Sequence, residues 1–316
     1  MHRIATIGGG TGTFILLSAL KEHPVDLAAI ISMADDGGST GVLRDQYGVL
    51  PPGDVRRALV ALSESSNTMR DLFNYRFRAG GLRGHNFGNL FISALEKVTG
   101  NFASALHETS LILNISGEVV PVTLDNVRLC ARLERGKIVR GETNIDIPSL
   151  PRSEPIKEVW LEPEARLNPS VKRVLHSADM IVLGPGDLYT SIIPNLLVNG
   201  IAKEIKRSKA IKVYVCNLMT KAGETDNFTG EDFVKEIEKY LGKNVLDYVI
   251  FNNKKPSPEI LRRYKRERSF FVKPPAPKAK RNKPHYILTN LIDNGKFMRH
   301  GPRRKLANVI LSLFEK

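Results

Sequence analysis

Cysteine is scarce in this sequence of 316 residues, in which Cys130 and Cys216 are the two thiols. Two cysteines cannot build a disulfide framework, and neither has a second cysteine or a histidine at metal-ligand spacing, so we expect reduced thiols. No run of about 18 apolar residues is present, which excludes a transmembrane helix. Residues 1–3 lead directly into an apolar strand, unlike a signal peptide. These absences predict a cytoplasmic localisation.

The composition excludes a wholly disordered or collagen-like chain. Hydrophobic residues make up 42% and charged residues 25%, and the chain has 25 glycines, all ordinary for a globular protein. This length corresponds to about two folding units, or to one large α/β unit with an inserted part. Such a chain can bury a core without a disulfide or a metal.

Positive charge is concentrated in one proline-rich segment. The net charge is +14, and residues 254–283 contain twelve Lys or Arg against two Glu, so this segment alone carries +10. A basic patch can bind nucleic acid, an anionic surface or a phosphorylated ligand. The alternative is a solvated loop without a ligand. We favour the loop, because no RNA-binding fingerprint accompanies Tyr264, Phe270 and Phe271.

Apolar strands alternate with helices at both ends of the chain, which indicates parallel strands joined by right-handed crossovers. The sequence predicts an α/β fold with a Rossmann-like, three-layer parallel sheet. Residues 1–45 and 176–316 form this core, which includes the basic segment 254–283. Residues 46–175 are predicted to be an inserted helical and small β region between the two halves of the sheet.

Each of five predicted core strands ends in a polar or glycine-rich segment. These segments are residues 8–13, 34–41, 184–187, 216–225 and 252–253. Because the carboxyl ends of parallel strands share one edge, and ligands bind there at the switch point of the sheet, we expect the segments to meet in one cleft.

The first of these segments is the glycine loop, Gly8 to Gly12. A strand, a tight glycine turn and a helix start present backbone N–H groups to an anion, and glycines let a phosphate approach closely. Thr13 occupies the third glycine position of the dinucleotide fingerprint, and the P-loop lysine is absent, so phosphate binding is favoured over nicotinamide binding.

Asp35 and Asp36 follow the second strand. Acids at this place contact a ribose hydroxyl or hold Mg²⁺ together with substrate phosphates; the alternative is an Asx turn that stabilises the loop. Beside a phosphate loop we favour the functional interpretation.

Three further segments contain candidate ligand-binding groups. The sequence from Gly184 to Asp187, followed by Thr190 and Ser191, predicts a second anion cradle. Weaker candidates are Asp54 and Arg56, near the start of one helix, and His85, Asn86 and Asn89, around the start of another. Helix capping and ordinary surface positions are the alternatives for this last set.

The same segments resemble the gluconeogenesis factor, or YvcK-like, family, in the superfamily that includes 2-phospho-L-lactate transferase. The shared motifs are GGGTG at 8–12, ADDGGS at 34–39, PPGDVR at 51–56, GHNFGN at 84–89, LGPGDLYTSIIPNLL at 183–197 and CNLMTKAGET at 216–225. The resemblance implies a Rossmann-like core that binds UDP-sugars, and a role in cell shape and growth on gluconeogenic carbon sources. The transferase relatives use a guanosine diphosphate donor with Mg²⁺.

The resemblance also implies positions for the ligand. It assigns the nucleotide cradle to Gly9, Gly10, Thr11 and Gly12; the acidic corner to Asp35 and Asp36; and the second cradle to Gly184, Gly186 and Asp187, with Asn217 and Arg299 as further contacts. After Arg299 and His300, the Asp and Thr that are usual in relatives are replaced by Gly301 and Pro302.

Three hypotheses follow for the function. The first is a cytosolic regulator that binds a nucleotide-sugar. The second is a group transferase of the 2-phospho-L-lactate type, and the third is an RNA or anionic-surface binder acting through residues 254–283. A catalysed reaction, a firmly bound cofactor and the oligomeric state are left open by the sequence.

Overall fold

A central parallel sheet organises the computed structural model, which describes residues 1–147, 154–276, 283–292 and 303–315. The strands are β1 (His2–Gly8), β2 (Val25–Ile31), β3 (Glu118–Pro121), β4 (Arg128–Leu133), β5 (Ile138–Arg140), β6 (Ile156–Glu162), β7 (Met180–Leu183), β8 (Ile211–Val215), β9 (Tyr248–Asn252) and β10 (His285–Thr289).

Helices follow most of these strands. They are α1 (Gly10–Leu20), α2 (Gly38–Tyr47), α3 (Gly53–Leu62), α4 (Asn67–Asn74), α5 (Phe87–Thr99), α6 (Phe102–Ile112), α7 (Glu142–Asp146), α8 (Pro169–Ser177), α9 (Ile193–Leu196), α10 (Ile201–Arg207), α11 (Gly230–Leu241), α12 (Pro258–Arg266) and α13 (Arg303–Leu311). A π-helical turn covers Leu188–Ile192, and a 3₁₀ turn covers Ser312–Glu315.

The main sheet has seven strands in the order β10-β9-β8-β7-β1-β2-β3, and each neighbouring pair is parallel. This arrangement confirms the predicted Rossmann-like α/β fold. The strand order reverses between β1 and β7, because the chain adds β2 and β3 on one side and β8 to β10 on the other. The carboxyl ends of β1 and β7 therefore flank the switch point, where parallel α/β sheets bind ligands.

Apolar runs account for the burial of the inner strands. Ile4, Ile7, Ile30 and Ile31 are fully buried, as expected for strands covered on both faces by helices. Helix α1 packs against α3 and α13, whereas α10 packs against α8 and α9. The core thus holds β1 rigidly behind the glycine loop.

Residues 46–175 contain the predicted helices and small β region, but one strand differs from the predicted boundaries. The three-stranded antiparallel sheet β5-β4-β6 lies here, and its hairpin turn is closed by the Leu133 N–H, which donates to the Lys137 carbonyl at 2.8 Å. Strand β3, however, pairs in parallel with β2 and forms an edge of the main sheet. Residues 28–31 of β2 pair with β3 without interruption, so the main sheet includes part of the segment that was predicted as an insertion.

The basic segment is partly helical rather than a continuous loop. Ser257 caps α12 by accepting the Ile260 N–H at 3.4 Å, and Tyr264 is buried. The outer face of the helix exposes Arg262 and Arg266. Residues 277–282 of the segment lie outside the described residues. In the part of the chain that the structure describes, no helix is long and apolar enough to span a membrane.

Candidate functional site

A cavity of about 810 Å³ lies at the switch point of the sheet. This volume is within the range of about 300–1,000 Å³ that small-molecule sites occupy. The segments after β1, β2, β7 and β8 all contribute to its lining, so four of the five predicted strand exits meet there. The fifth segment, residues 252–253 at the end of β9, does not contribute to the lining. The Asn252 side chain there donates to the Lys254 carbonyl and accepts the Leu291 N–H.

Eleven of the predicted site residues line this cavity. They are Gly9, Gly10, Thr11, Gly12, Asp35, Asp54, Gly186, Asp187, Thr190, Ser191 and Asn217.

One wall of the cavity is formed by the glycine loop and the start of α1. Gly9 precedes the helix in an extended conformation, Gly10 has a φ of +65°, and the first turn contains no acidic residue. A Cβ on Gly12 would lie 2.3 Å from the Pro185 carbonyl oxygen, so only glycine lets the loops after β1 and β7 touch. We call these residues, 9–12, the glycine wall. Its N–H groups and helix dipole favour an anion.

The loop after β7 completes the anion-binding side. The Ser191 and Ile192 N–H groups both donate to the Asp187 carbonyl, which fixes the π-helical turn. The Ser191 hydroxyl lies 3.4 Å from where a Gly10 Cβ would stand, so it is next to the glycine wall. Asn217 braces this loop by donating to the Gly186 carbonyl at 2.8 Å.

Two predicted members of this cradle have other contacts. Gly184 lies outside the cavity lining, and its N–H donates to the Ile7 carbonyl at 2.9 Å in the sheet. The Thr190 hydroxyl lines the cavity but donates to Asp146 Oδ1 at 3.4 Å.

Three further carboxyl side chains line the cavity next to the anion-binding groups, and we call them the acidic wall: Asp35, Asp54 and Glu142. A Cβ on Gly9 would lie 2.5 Å from Asp54 Oδ2, and one on Gly53 would lie 2.4 Å from Asp35 Oδ2. Both acids therefore depend on glycine neighbours for their positions. The acidic wall touches the glycine wall directly.

Burial and neighbouring negative charges raise the pKa values of two acidic-wall residues, Asp35 and Glu142. Burial, and next the charge of Asp54, raise the pKa of Asp35 to about 6. Burial, and next the charges of Asp35 and Asp146, raise the pKa of Glu142 to about 9. Raised carboxyl pKa values mean that negative charge is poorly compensated here.

Few cations balance these carboxylates. Arg57 Nη1 lies 3.0 Å from Asp54 Oδ1. Arg57 and Lys221 are the two Lys or Arg side chains among the lining residues of the described chain. Lys221 is already in ion pairs with Asp146, Asp187 and Glu224. The described lining is thus rich in uncompensated negative charge, which suits a cation or a proton.

Asp36 lies outside the cavity lining and stabilises the start of α7. Its carboxylate accepts the Glu142 N–H at 3.1 Å and the Thr143 N–H at 2.8 Å. Arg128 is 3.8 Å away. Within this structure Asp36 therefore positions Glu142 and contributes no oxygen to the cavity surface.

The remaining secondary candidates are also outside the lining. Buried Arg56 donates to the Phe73 carbonyl at 3.1 Å and to Asn74 Oδ1 at 2.8 Å. His85 Nδ1 lies 3.2 Å from the Ser39 hydroxyl. Asn86 caps α5 by accepting the Asn89 N–H at 3.1 Å. Helix capping describes the contact between Asn86 and Asn89. Arg299 lies outside the described residues.

Glu142 and Asp146, which α7 brings to the cavity, were not predicted as site residues. The five residues of α7 are too few for a helical apolar pattern. Only Glu142 lay in a predicted element, as the last residue of a β segment over Ile138–Glu142. Lys221 and Glu224 lie in a motif that was singled out, but no spacing rule assigns them a role. Their importance follows from the three-dimensional convergence alone.

Fold and cavity together define a parallel α/β protein with a ligand-sized site at the reversal of its strand order. The chain belongs to the family of 2-phospho-L-lactate transferase CofD, whose family model matches residues 4–292.

The relatives agree with the resemblance found in the motifs. The chain is 44% identical over 268 residues to the gluconeogenesis factor of Bacillus subtilis, a match that covers 84% of this chain and 83% of that protein. It is also 44% identical over 272 residues to a protein of Clostridium acetobutylicum, a match that covers 86% of this chain and spans 60% of that protein. A crystal structure of a UPF0052 family member from Bacillus halodurans superposes with a TM-score of 0.92 at 38% identity, covering 98% of each chain.

Proposed function

We propose that the cavity binds the diphosphate of a nucleotide-sugar, with a divalent cation between the diphosphate and the acidic wall. The observation that carries the proposal is the contact between the two walls, in which Gly9 belongs to the glycine wall and lies against the Asp54 carboxylate. A phosphate oxygen at the N-terminus of α1 would be next to Asp54, which already pairs with Arg57; a divalent cation would further reduce the repulsion between the diphosphate and this carboxylate.

The acidic wall fits a Mg²⁺ ion chemically. Mg²⁺ takes one or two carboxylates together with phosphate oxygens and waters. Asp35 and Asp54 would supply those carboxylates; burial, and next the charge of Asp54, raise the pKa of Asp35, and a cation at this place would favour its ionised form. Asp36, the other tentative metal ligand, is engaged by the first N–H groups of α7. When bound, the cation neutralises the diphosphate; the protein residues hold and orient the ligand.

We further propose that the ligand is a UDP-sugar and that binding is regulatory, in a cytoplasmic protein that acts on cell shape during gluconeogenic growth. Similarity to the Bacillus subtilis gluconeogenesis factor supports this role. The cavity volume of about 810 Å³ is large enough for a nucleotide-sugar.

The direct test is calorimetric titration of UDP-N-acetylglucosamine with Mg²⁺ or with a chelator. We expect one site per chain, with tighter binding when Mg²⁺ is present. Absence of binding under both conditions contradicts the proposal.

A second candidate is a transferase of the 2-phospho-L-lactate type. The match of that family model to residues 4–292 favours it. The test is incubation with a phospholactyl donor, a deazaflavin acceptor and Mg²⁺, with product measured by mass spectrometry. Transferred phospholactyl group supports this candidate, and a negative result with a ligand-competent protein removes it.

A further inference from the structure

A second group of carboxylates surrounds Lys221, and two of its three members, Asp146 and Asp187, line the cavity together with this lysine. Lys221 Nζ is 2.6 Å from Asp187 Oδ2 and 3.0 Å from Glu224 Oε1, and it is also bonded to Asp146. The three acids come from different parts of the fold, since Asp146 ends α7, Asp187 follows β7 and Glu224 follows β8. We call Asp146, Asp187 and Glu224 the acidic triad.

One ammonium does not satisfy the acidic triad. The Glu224 side chain is fully buried, and neither of its oxygens has a hydrogen-bond partner among the described residues. Lys221 approaches Oε1 within ion-pair distance but without hydrogen-bond alignment, and Oε2 has no such contact. A buried carboxylate oxygen without a partner is costly. With all three acids ionised, the cluster keeps two negative charges.

The spacing of the triad suits a metal ion. One oxygen from each acid lies within 4.8 Å of the other two. Opposite ligands of a bound ion are about 4 Å apart for Mg²⁺ and about 5 Å apart for Ca²⁺. One oxygen of each acid also lies within ion-pair distance of Lys221 Nζ, so a metal ion and this ammonium would compete for the same three carboxylates.

We propose that the acidic triad is a divalent-cation site, and that occupation of the site releases Lys221 into the cavity. A compact ammonium on a flexible four-carbon stem is suited to such a displacement. Lys221 lines the cavity, so its released charge becomes available to an anionic ligand there. The site uses none of the acidic-wall residues and does not depend on the proposed nucleotide-sugar binding.

The test measures Mn²⁺ binding by electron paramagnetic resonance, without nucleotide, in full-length protein that carries Asp54→Asn to weaken the acidic wall. We expect one Mn²⁺ per chain in this background. Adding Lys221→Gln removes the competing ammonium and tightens Mn²⁺ binding by about tenfold; adding Asp187→Asn weakens it by a similar factor.

Exposed Glu64→Gln is the matched control and leaves Mn²⁺ affinity unchanged. Asp187 is the chosen ligand variant because its side chain is 44% exposed, whereas substitution of fully buried Glu224 risks the fold. No Mn²⁺ binding in the Asp54→Asn background overturns the proposal. The proposal is also overturned if the Mn²⁺ affinities of the Lys221→Gln and Asp187→Asn proteins both stay within about twofold of the affinity of the Asp54→Asn protein.

Discussion

The two walls of the cavity contrast in how they acquire charge. The glycine wall has no acidic side chain in the first turn of α1 and offers backbone N–H groups at a helix start. In the acidic wall, burial and neighbouring negative charges raise the pKa values of Asp35 and Glu142, and Arg57 pairs with Asp54. One wall offers hydrogen-bond donors to an anion, and the other offers carboxylate oxygens to a cation. Because the two walls touch, we propose that an anion and a cation bind here together.

The largest expected effect comes from placing a side chain at the contact between the loops after β1 and β7. Gly12→Ala places a Cβ 2.3 Å from the Pro185 carbonyl, so backbone must move. We expect a loss of about 3 kcal/mol of stability and loss of nucleotide binding. Urea denaturation and calorimetry measure these two quantities. Gly81→Ala is the control, since a Cβ there meets nothing within 4 Å; equal behaviour of the two variants would show that the contact is unimportant.

Asp54→Asn removes the negative charge at the contact between the two walls. We expect nucleotide affinity in Mg²⁺ to fall by about tenfold, whereas affinity in chelator stays the same or rises because a repelling charge has gone. Calorimetric titrations in both buffers measure this. Exposed Asp71→Asn is the matched control. An unchanged dependence on Mg²⁺ in the Asp54→Asn protein would remove the acidic wall from cation binding.

Glu142→Gln tests whether the acidic wall carries uncompensated charge. Burial, and next the charges of Asp35 and Asp146, raise the pKa of Glu142 to about 9 in the folded protein, whereas the unfolded chain releases this proton near pH 4.5. The contribution of this proton to the free energy of unfolding is therefore fully present below pH 4.5, and it is lost as the pH rises toward about 9. We expect Glu142→Gln to stabilise the cation-free protein at pH 8 by about 1–3 kcal/mol.

Melting curves from pH 5 to pH 9 measure the effect, with exposed Glu64→Gln as the control. The Glu142→Gln protein should show a shallower decline than wild type. If the melting temperatures of the two proteins fall in parallel as the pH rises, the negative charge of Glu142 is balanced by a partner in the folded protein.

Asp36→Asn has the smallest expected effect on binding. The carboxylate accepts two N–H groups at the start of α7, so its loss should cost about 1 kcal/mol of stability through weaker hydrogen bonds. Nucleotide affinity should change by less than about threefold. Denaturant unfolding and calorimetry check this, and a fall as large as that of Asp54→Asn would place Asp36 in the site after all.

Much of the fold and part of the site could be predicted from the sequence. Continuous apolar runs marked the inner strands, and the polar segments after them identified four of the cavity's contributing exits. The glycine loop was predicted because its conformation is encoded locally. Helix α2 was missed, since it begins with two glycines and has no strong apolar pattern, and β10 was missed beside a basic, proline-rich stretch.

The rest of the site depends on tertiary contacts that leave no local pattern. Asp54 was a weak candidate as a helix N-cap, and its position against Gly9 appears only when α3 packs on α1. Asp35 and Asp36 are neighbours with similar sequence environments, yet one faces the cavity and the other caps α7. The acidic triad joins three distant segments, which no spacing rule connects.

The central claim is that the two walls bind a nucleotide diphosphate and a divalent cation together. Calorimetric titration of UDP-N-acetylglucosamine into the wild-type protein, with Mg²⁺ and with chelator, tests it most directly. The account predicts one site per chain whose affinity rises by about tenfold with Mg²⁺. Equal affinities in the two buffers, or no binding in either, would contradict it.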